Sequence, residues 1–231
     1  MKKLDYIKQF EIFQGVDPNM LEDFVQKGKI LDIEKGVIFF RAKEPTEFIH
    51  FQITGKSIIY NLTHEGKRKI LFICGKGMLL NEHIYNTRTT SMYCETITQS
   101  KVFVIPSAEF VKLMTADERL LQNVFEAQER KIWRLSHQLK NTMSSIFLER
   151  KLAAKLWKLA RDFGIQREDG IEIDVNLTAS FLADMLGVSR ETTSRTCAIL
   201  VENGLIKIKK KRIFIENPEK MAAFYKTGKF I

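Results

Sequence analysis

The stretch "TASFLADMLGVSRETTSRTCAILVENGLIKIKKKRIFIEN", Thr178 to Asn217, decides how this chain is read. Thr178 and Ser189 stand where two helices begin and are good N-caps, and Gly187 between them permits a sharp turn. Leu182, Met185, Leu186 and Val188 are expected to fill the space between the helices. On the second helix Thr193, Thr196, Cys197 and Leu200 fall on the inward side with Val188. Arg190, Glu191, Ser194 and Arg195 then share the outward face near its N-terminus. The remainder reads as a hairpin, so the pattern is helix, turn, helix and wing.

In that motif the N-terminal part of the second helix enters the DNA major groove. There Arg190 and Arg195 can donate two bonds to guanine O6 and N7, Glu191 can accept from cytosine N4, and Ser194 can bond a base or a phosphate. Lys209, Lys210 and Lys211, inside the basic run "KIKKKR" at 207–212, can lie along phosphates, with Ser189 and Thr178 at the helix starts as further phosphate contacts. A solvated helix on a small three-helix core also fits this stretch taken alone. The rest of the chain decides between the two.

The chain has 231 residues, 45% of them hydrophobic, enough for one large or two small domains with a real core. Its 37 basic and 28 acidic residues give a net charge of +9, which favours polyanionic partners. Cys74, Cys94 and Cys197 are widely spaced, odd in number and without a CxxC pair, so neither a disulfide framework nor a zinc knuckle is expected. A reducing cytoplasm fits. The N-terminal "MKKLDYIKQFEIFQG" lacks the continuous apolar region of a signal peptide, and no stretch has the roughly 20 apolar residues of a membrane helix, so no membrane partner is expected.

From about Ile30 to Pro106 the pattern is strand-like. Ile49, Phe51, Ile53, then Ile58, Tyr60, Leu62, then Ile70 and Phe72 alternate between Gly55, Gly66, Gly75 and Gly77, which predicts an antiparallel roll or barrel. A long helix without Gly or Pro follows "SAEFVKLMTADE". Its Leu121, Phe125, Gln128, Ile132, Leu135, Leu139, Thr142 and Ile146 form a heptad seam with two polar members. Such a seam packs either on the barrel of its own chain or on a second copy, and the spacing favours the second copy. Trp133 and Trp157 lie off the seam and are expected to be ordinary packing residues. A further helix, "ERKLAAKLWKLARDFG", presents Leu152, Leu156 and Leu159 on one face, and "GIEIDVNL" is a strand candidate.

With these parts in order, from "IFQGVDPNMLEDF" through the roll, the long helix and "SRETTSR", the whole chain resembles the Crp/Fnr transcription regulators, relatives of the bacterial cAMP receptor protein. The resemblance implies an α+β fold. Residues 1–117 would form a cyclic-nucleotide-binding-type β-roll that senses an effector, 118–147 a dimerisation helix, and 148–231 a winged helix-turn-helix that binds DNA. It also implies a homodimer on a palindrome and, for an activator, contact with RNA polymerase. Arg190, Glu191 and Arg195 match the family's base-reading positions, and Ser194 resembles the serine of the Fnr-like branch. The half-site is therefore open between TGTGA-like and TTGAT-like, with a shared TGA core.

The family's cAMP signature pairs Gly-Glu with a later Arg-Ser. Here Asn81-Glu82 and Thr90-Ser91 stand in those places, and Arg88 is two positions early. A cyclic phosphate loses its guanidinium partner, which argues against cAMP unless Arg88 reaches inward. The Fnr-type iron-sulfur cluster needs cysteines near the N-terminus, and the first is Cys74. His50, His64, His83 and Cys74 are candidate haem ligands or plain structural residues. Aromatic side chains on roll segments, Phe39, Phe40, Phe51, Tyr60, Phe72, Tyr85, Tyr93 and Phe103, supply mostly core. Some of them, Tyr60, Phe72 and Tyr85 foremost, could line a cavity for an unidentified small-molecule effector, an apolar or aromatic acid, with Glu82, Arg88, Ser136 or His137 as polar contacts.

Other function classes fare worse. The sequence has no GxSxG, P-loop or HExxH, so no catalytic and no metal-binding residues are assigned. A regulatory module that acts on a protein partner is the alternative. A protein-docking face, however, would carry aromatic and aliphatic residues where "SRETTSR" and "KIKKKR" carry charge.

Overall fold

The computed structural model describes residues 3–85, 88–143, 147–168 and 170–229. The chain divides into two compact units, Met1–His137 and Gln138–Ile231.

The first unit opens with α1 (Lys3–Ile7), a short 3-10 turn at Glu11–Phe13, and α2 (Pro18–Lys27). Asp17 caps α2 by accepting from the N–H groups of Asn19 and Met20, and Pro18 sits in its first turn. The strands β1 (Lys29–Ile33), β2 (Ile38–Phe40), β3 (Phe48–Thr54), β4 (Ser57–Leu62), β5 (Arg68–Cys74), β6 (Tyr93–Thr96) and β7 (Ser100–Pro106) follow. They form two antiparallel sheets, ordered β1-β7-β3 and β2-β6-β4-β5, which is the expected roll. Helices α3 (Ser107–Ala116) and α4 (Glu118–Met143) complete the layer outside the first sheet.

The alternation in β3 is overridden by this layering. Ile49, Phe51 and Ile53 face the helices and join Phe10, Phe13, Phe24, Phe103 and Phe110 in one aromatic-rich core. His50 and Gln52, which alternate with them along the strand, are buried as well. A second core fills the roll with Phe40, Ile59, Phe72, Cys74, Leu80, Cys94 and Val102. Strand β4 departs the other way: Leu62, expected inward, is 41% exposed, because the strand has run past the end of that core.

Polar groups inside the roll must find partners there. Gln52 accepts from Ser57 Oγ at 2.7 Å and donates to Thr54 O at 2.8 Å. Asn81 Oδ1 accepts from the backbone N–H of His50 at 2.8 Å and from its Nδ1–H at 3.2 Å, while Asn81 Nδ2 donates to Phe48 O. The His50 ring also lies 5.3 Å and 5.7 Å from the rings of Phe39 and Phe40. Burial pushes its pKa down to about 4.

Trp133 corrects an expectation. It is not a packing residue of this unit, since its indole is 57% exposed and stacks on His137. Trp157 does pack, against Tyr225 and under Arg161.

In the second unit α5 (Leu148–Phe163) buries Leu152, Leu156 and Leu159 as its spacing required. Strands β8 (Gly164–Arg167) and β9 (Gly170–Ile173) lead to α6 (Ala179–Leu186), α7 (Arg190–Glu202), the hairpin β10 (Lys207–Lys209) and β11 (Arg212–Ile215), and α8 (Pro218–Thr227). The sheet order is β10-β11-β9-β8. Gly164 lets α5 turn into β8, because a Cβ there would stand 2.0 Å from Ala160 O and 2.5 Å from Ile171 Cγ2. Helix α8 packs on α5, and the Arg150 guanidinium donates to the carbonyl of Tyr225 near its end.

His50 makes the first unit acid-sensitive. An unfolded histidine takes up its proton near pH 6.5, whereas the folded one resists protonation until about pH 4. Stability is therefore full above 6.5 and falls by about 3 kcal/mol as pH drops from 6.5 to 4. NMR titration should place the His50 imidazole midpoint near 4, and His50→Gln should flatten that part of the stability profile.

Candidate nucleic-acid interface and effector site

Helices α6 and α7 are joined by the turn that the sequence implied. Thr178 Oγ1 accepts from Phe181 N–H at 3.1 Å, Ser189 Oγ accepts from Thr192 N–H at 3.1 Å, and Gly187 takes a left-handed conformation with φ 78°. Leu182, Ala183 and Met185 of α6 are buried, as are Thr193, Thr196, Cys197 and Leu200 of α7. The two threonines can be buried because their hydroxyls donate one turn back, to Ser189 O and Thr192 O. Arg190, Glu191, Ser194 and Arg195 are all exposed on the opposite side. The Glu191 carboxyl is held below its usual range, first by its own backbone N–H, then by the Ser189 hydroxyl, with Arg190 and Arg195 adding to the effect. It is thus an ionised acceptor on the exposed face.

The basic hairpin divides by role. Lys207 pairs with Glu216 at 3.1 Å, and Arg212 reaches Asp174 at 3.4 Å and Glu172 at 3.7 Å, so both ends of the run are neutralised within the sheet. Lys209 is exposed beside them. Lys210 and Lys211 form the two-residue tip, exposed and without a partner among the described residues. Both have positive φ, 47° and 64°, the geometry of a tight hairpin turn that ordinarily selects Asn and Gly.

In the first unit Glu82 receives the N–H and the hydroxyl of Ser91, each at 3.0 Å, and His83 Nε2 lies 2.8 Å from it. Segments 81–82 and 90–91 therefore do meet. Thr90 is buried, its hydroxyl turned onto the backbone of Met92. Of the remaining residues considered for an effector, Phe72 is buried, and Tyr60 stacks on Tyr93 at 5.1 Å beneath Arg68. Tyr85, Arg88, Ser136 and His137 are exposed in this unit. His64 is exposed, Cys74 is fully buried, and among the described residues no three His, Cys, Asp or Glu side chains cluster as a metal site.

Along α4, Phe125, Ile132 and Leu135 are 61%, 63% and 40% exposed in the first unit, and Leu139 is exposed in the second. Leu121 packs partly on the core of its own unit. Ile146 lies outside the described residues, as does the side chain of Thr142.

Comparison with known proteins matches the cyclic nucleotide-binding domain over residues 30–117 and the Crp-like helix-turn-helix domain over residues 150–224. The chain belongs to the Crp/Fnr family. It is 25% identical over 215 residues to the CRP-like cAMP-activated global transcriptional regulator of Mycobacterium tuberculosis, covering 91% of this chain and 94% of that protein. It is 24% identical to the global nitrogen regulator of Synechococcus elongatus, covering 90% of each. The structure of FixK2 from Bradyrhizobium japonicum shares the fold, with a TM-score of 0.74 at 16% identity over 85% of this chain and 96% of that one. This Crp/Fnr protein is accordingly a DNA-binding transcription regulator with a domain of the small-molecule-sensing type. Among its described residues no helix is long and apolar enough to cross a membrane.

Two residues outside the sequence-derived set of effector contacts also sit at the sensor, and the first is Lys131. It donates to Asn81 O at 2.9 Å, and its ammonium is buried although its stem is half exposed. Burial lowers its pKa, and the Glu82 carboxylate opposes that shift. The Cys74 and Cys94 thiols are pushed up by burial, Cys74 to about 11, and so are neutral. The second is Gln128, one turn earlier, whose side-chain nitrogen is buried. The sequence does carry a signal for the lysine: Leu120, Val124, Ala127 and Lys131 continue one buried stripe of α4 at helical spacing, and a lysine in that line is out of place.

The tip of the regulator's wing holds two lysines in a conformation that suits neither. Replacing Lys210 by Asn and Lys211 by Gly together should raise the stability of the second unit by roughly 1 kcal/mol, read by denaturant unfolding. Lys210→Ala with Lys211→Ala, equal in charge removed but not in turn preference, should give no such gain.

Proposed function

We propose that this Crp/Fnr regulator binds, as a homodimer, a palindrome with TGA-containing half-sites under the control of a small-molecule effector. The carrying observation is the exposed face of α7, where Arg190, Glu191, Ser194 and Arg195 project while Thr193, Thr196, Cys197 and Leu200 are buried on the other side and both threonine hydroxyls are hydrogen-bonded. Such a face presents donors suited to guanine and an acceptor suited to cytosine on one rigid support. Lys209, Lys210 and Lys211 in the wing, with Ser189 and Thr178 at the helix starts, are the phosphate contacts in this reading.

The exposed apolar residues of α4 support the dimer. Phe125, Ile132, Leu135 and Leu139 recur at heptad spacing, and side chains of that size in water seek a matching partner helix. Residues 1–117 then act as sensor, 118–147 as dimerisation helix and 148–231 as reader. Three free, buried cysteines suit a reducing cytoplasm. Thr90, where the cAMP signature has arginine, leaves a cyclic phosphate without a guanidinium, so the effector in this reading is not cAMP.

Binding assays with a TGA-containing palindrome and scrambled controls test the proposal. Arg195→Ala should cost roughly 1–3 kcal/mol per half-site and relax the preference at one base. The Asn-Gly wing variant should instead weaken binding to all sequences alike and flatten the salt dependence by about one unit of slope for each phosphate that the wing no longer neutralises. Unchanged sequence preference in Arg195→Ala would remove α7 from the role of reader.

Leu135→Glu places a charge in the proposed seam. Sedimentation should then find monomers, and specific binding should disappear with them. A monomeric wild type that bound the palindrome tightly would overturn the dimer.

A further inference from the structure

The basic run 207–212 carries five cations, and their neighbours divide them. At its ends Lys207 pairs with Glu216 at 3.1 Å, and Arg212 meets Asp174 Oδ1 at 3.4 Å and Glu172 Oε1 at 3.7 Å. Glu172 also accepts from Arg167 Nε at 2.9 Å, so two guanidinium groups and two carboxylates form one chain of charge on the sheet. The register sets Phe214 opposite Glu172 and Ile215 opposite Ile171, and its continuation brings Asp174 opposite Arg212. On its other side Arg212 lies opposite Lys209. Directly opposed residues of antiparallel strands share a face. Lys209 and Arg212 therefore stand level at the base of the two-residue tip, and there Arg212 is held by two carboxylates.

Were it released, a guanidinium at the level of Lys209 could take a DNA phosphate, which its planar fork fits as well as it fits a carboxylate. Asp174 and Glu172 already engage that fork. To reach a phosphate, Arg212 would have to leave both carboxylates, and they would then face the phosphate as like charges. Stability does not explain the arrangement, since the Arg212 and Asp174 side chains are 40% and 39% exposed and ion pairs at such exposure add little. What the pairs do change is the number of phosphates that the wing can neutralise, and that number sets sequence-independent affinity and its salt dependence. We propose that Glu172 and Asp174 withhold Arg212 from DNA and so limit the sequence-independent share of the regulator's affinity. The proposal rests on the reading of the wing as a phosphate contact.

The test measures binding of the full-length protein to the TGA-containing palindrome and to a scrambled duplex across a salt series. Glu172→Gln with Asp174→Asn should bind both duplexes more tightly at low salt, by the same factor, with a salt dependence steeper by about one unit of slope for each arginine released. Each such gain should shrink roughly threefold between about 50 and 200 mM salt. Asp174→Asn alone, at an exposed position and nearly isosteric, should show a smaller gain of the same sign. Arg212→Gln alone should leave affinity and slope close to wild type, because the guanidinium is already engaged. Added to the Glu172→Gln, Asp174→Asn pair, Arg212→Gln should abolish the gain.

The proposal is overturned if neither the pair nor Asp174→Asn tightens binding, and a lowered melting temperature in both would then mark the carboxylates as braces of the sheet. A gain that survives Arg212→Gln would also sink it, since the carboxylates would then act by plain repulsion of DNA. So would an Arg212→Gln variant with weaker binding and a flatter slope, which would make Arg212 a phosphate contact in the wild type. Lys210→Asn with Lys211→Gly separates this failure from that of the wing itself. If that tip variant flattens the salt dependence while the carboxylate variants do not steepen it, the wing stays on DNA and the withholding is wrong. If the tip variant leaves the slope unchanged, both readings fall together.

Discussion

One helix answers to two layers. The stripe Leu120, Val124, Ala127 and Lys131 of α4 is committed to the first unit, three of its members to the aromatic-rich core and the fourth to Asn81 O. The neighbouring stripe, Phe125, Ile132 and Leu139, is left in water by its own chain. A helix with 3.6 residues per turn cannot turn one stripe without turning the other. Whatever settles the register of Lys131 against Asn81 therefore also fixes where the apolar seam points. The Asn81 carbonyl is a firm anchor, because the same residue's side chain is tied to His50 and Phe48.

That anchor also explains the unusual content of β3. A strand buried on both faces must be apolar on one side and internally satisfied on the other, and β3 meets the demand with His50 and Gln52. The Nδ1–H of His50 can donate to Asn81 in either protonation state, and that bond favours the charged ring, but burial outweighs it and keeps the ring neutral. The acid sensitivity of the roll is thus a consequence of its three layers, and it bears on the segment next to Glu82.

The reader is legible in the sequence because its determinants are local. Caps at Thr178 and Ser189, the glycine at 187 and helical spacing over thirteen residues of α7 specify the outward face without reference to distant parts. Strand β3 is legible on one face, since alternation reports burial against one layer and cannot report a second. Strand β8, "GIQR", has four exposed residues and no pattern to read, and exists because β9 pairs with it. Helix α8 does carry a local signal, with Asn217 as N-cap and Pro218 behind it, although the hairpin that precedes it draws the eye away. At the sensor, the family's pairing of residues 81–82 with 90–91 points to Glu82 and Ser91, which do meet. It points away from α4, where heptad spacing places Gln128 among seam positions and omits Lys131.

The two units share a way of holding charge. At the wing tip Lys210 and Lys211 occupy left-handed backbone where Asn and Gly would rest more easily, and on α4 Lys131 keeps its ammonium in a buried position. Packing explains neither choice, because a turn or a core optimised for stability alone would carry other residues. Each lysine instead holds a positive charge where packing alone would not put one. The two sites differ in what screens them. The tip is exposed, so its attraction weakens with salt and acts on any nucleic acid. The ammonium of Lys131 is surrounded by low-dielectric material, so its preference for a counter-charge is little screened. In the proposed function the outward face of α7 supplies the specificity that the wing lacks.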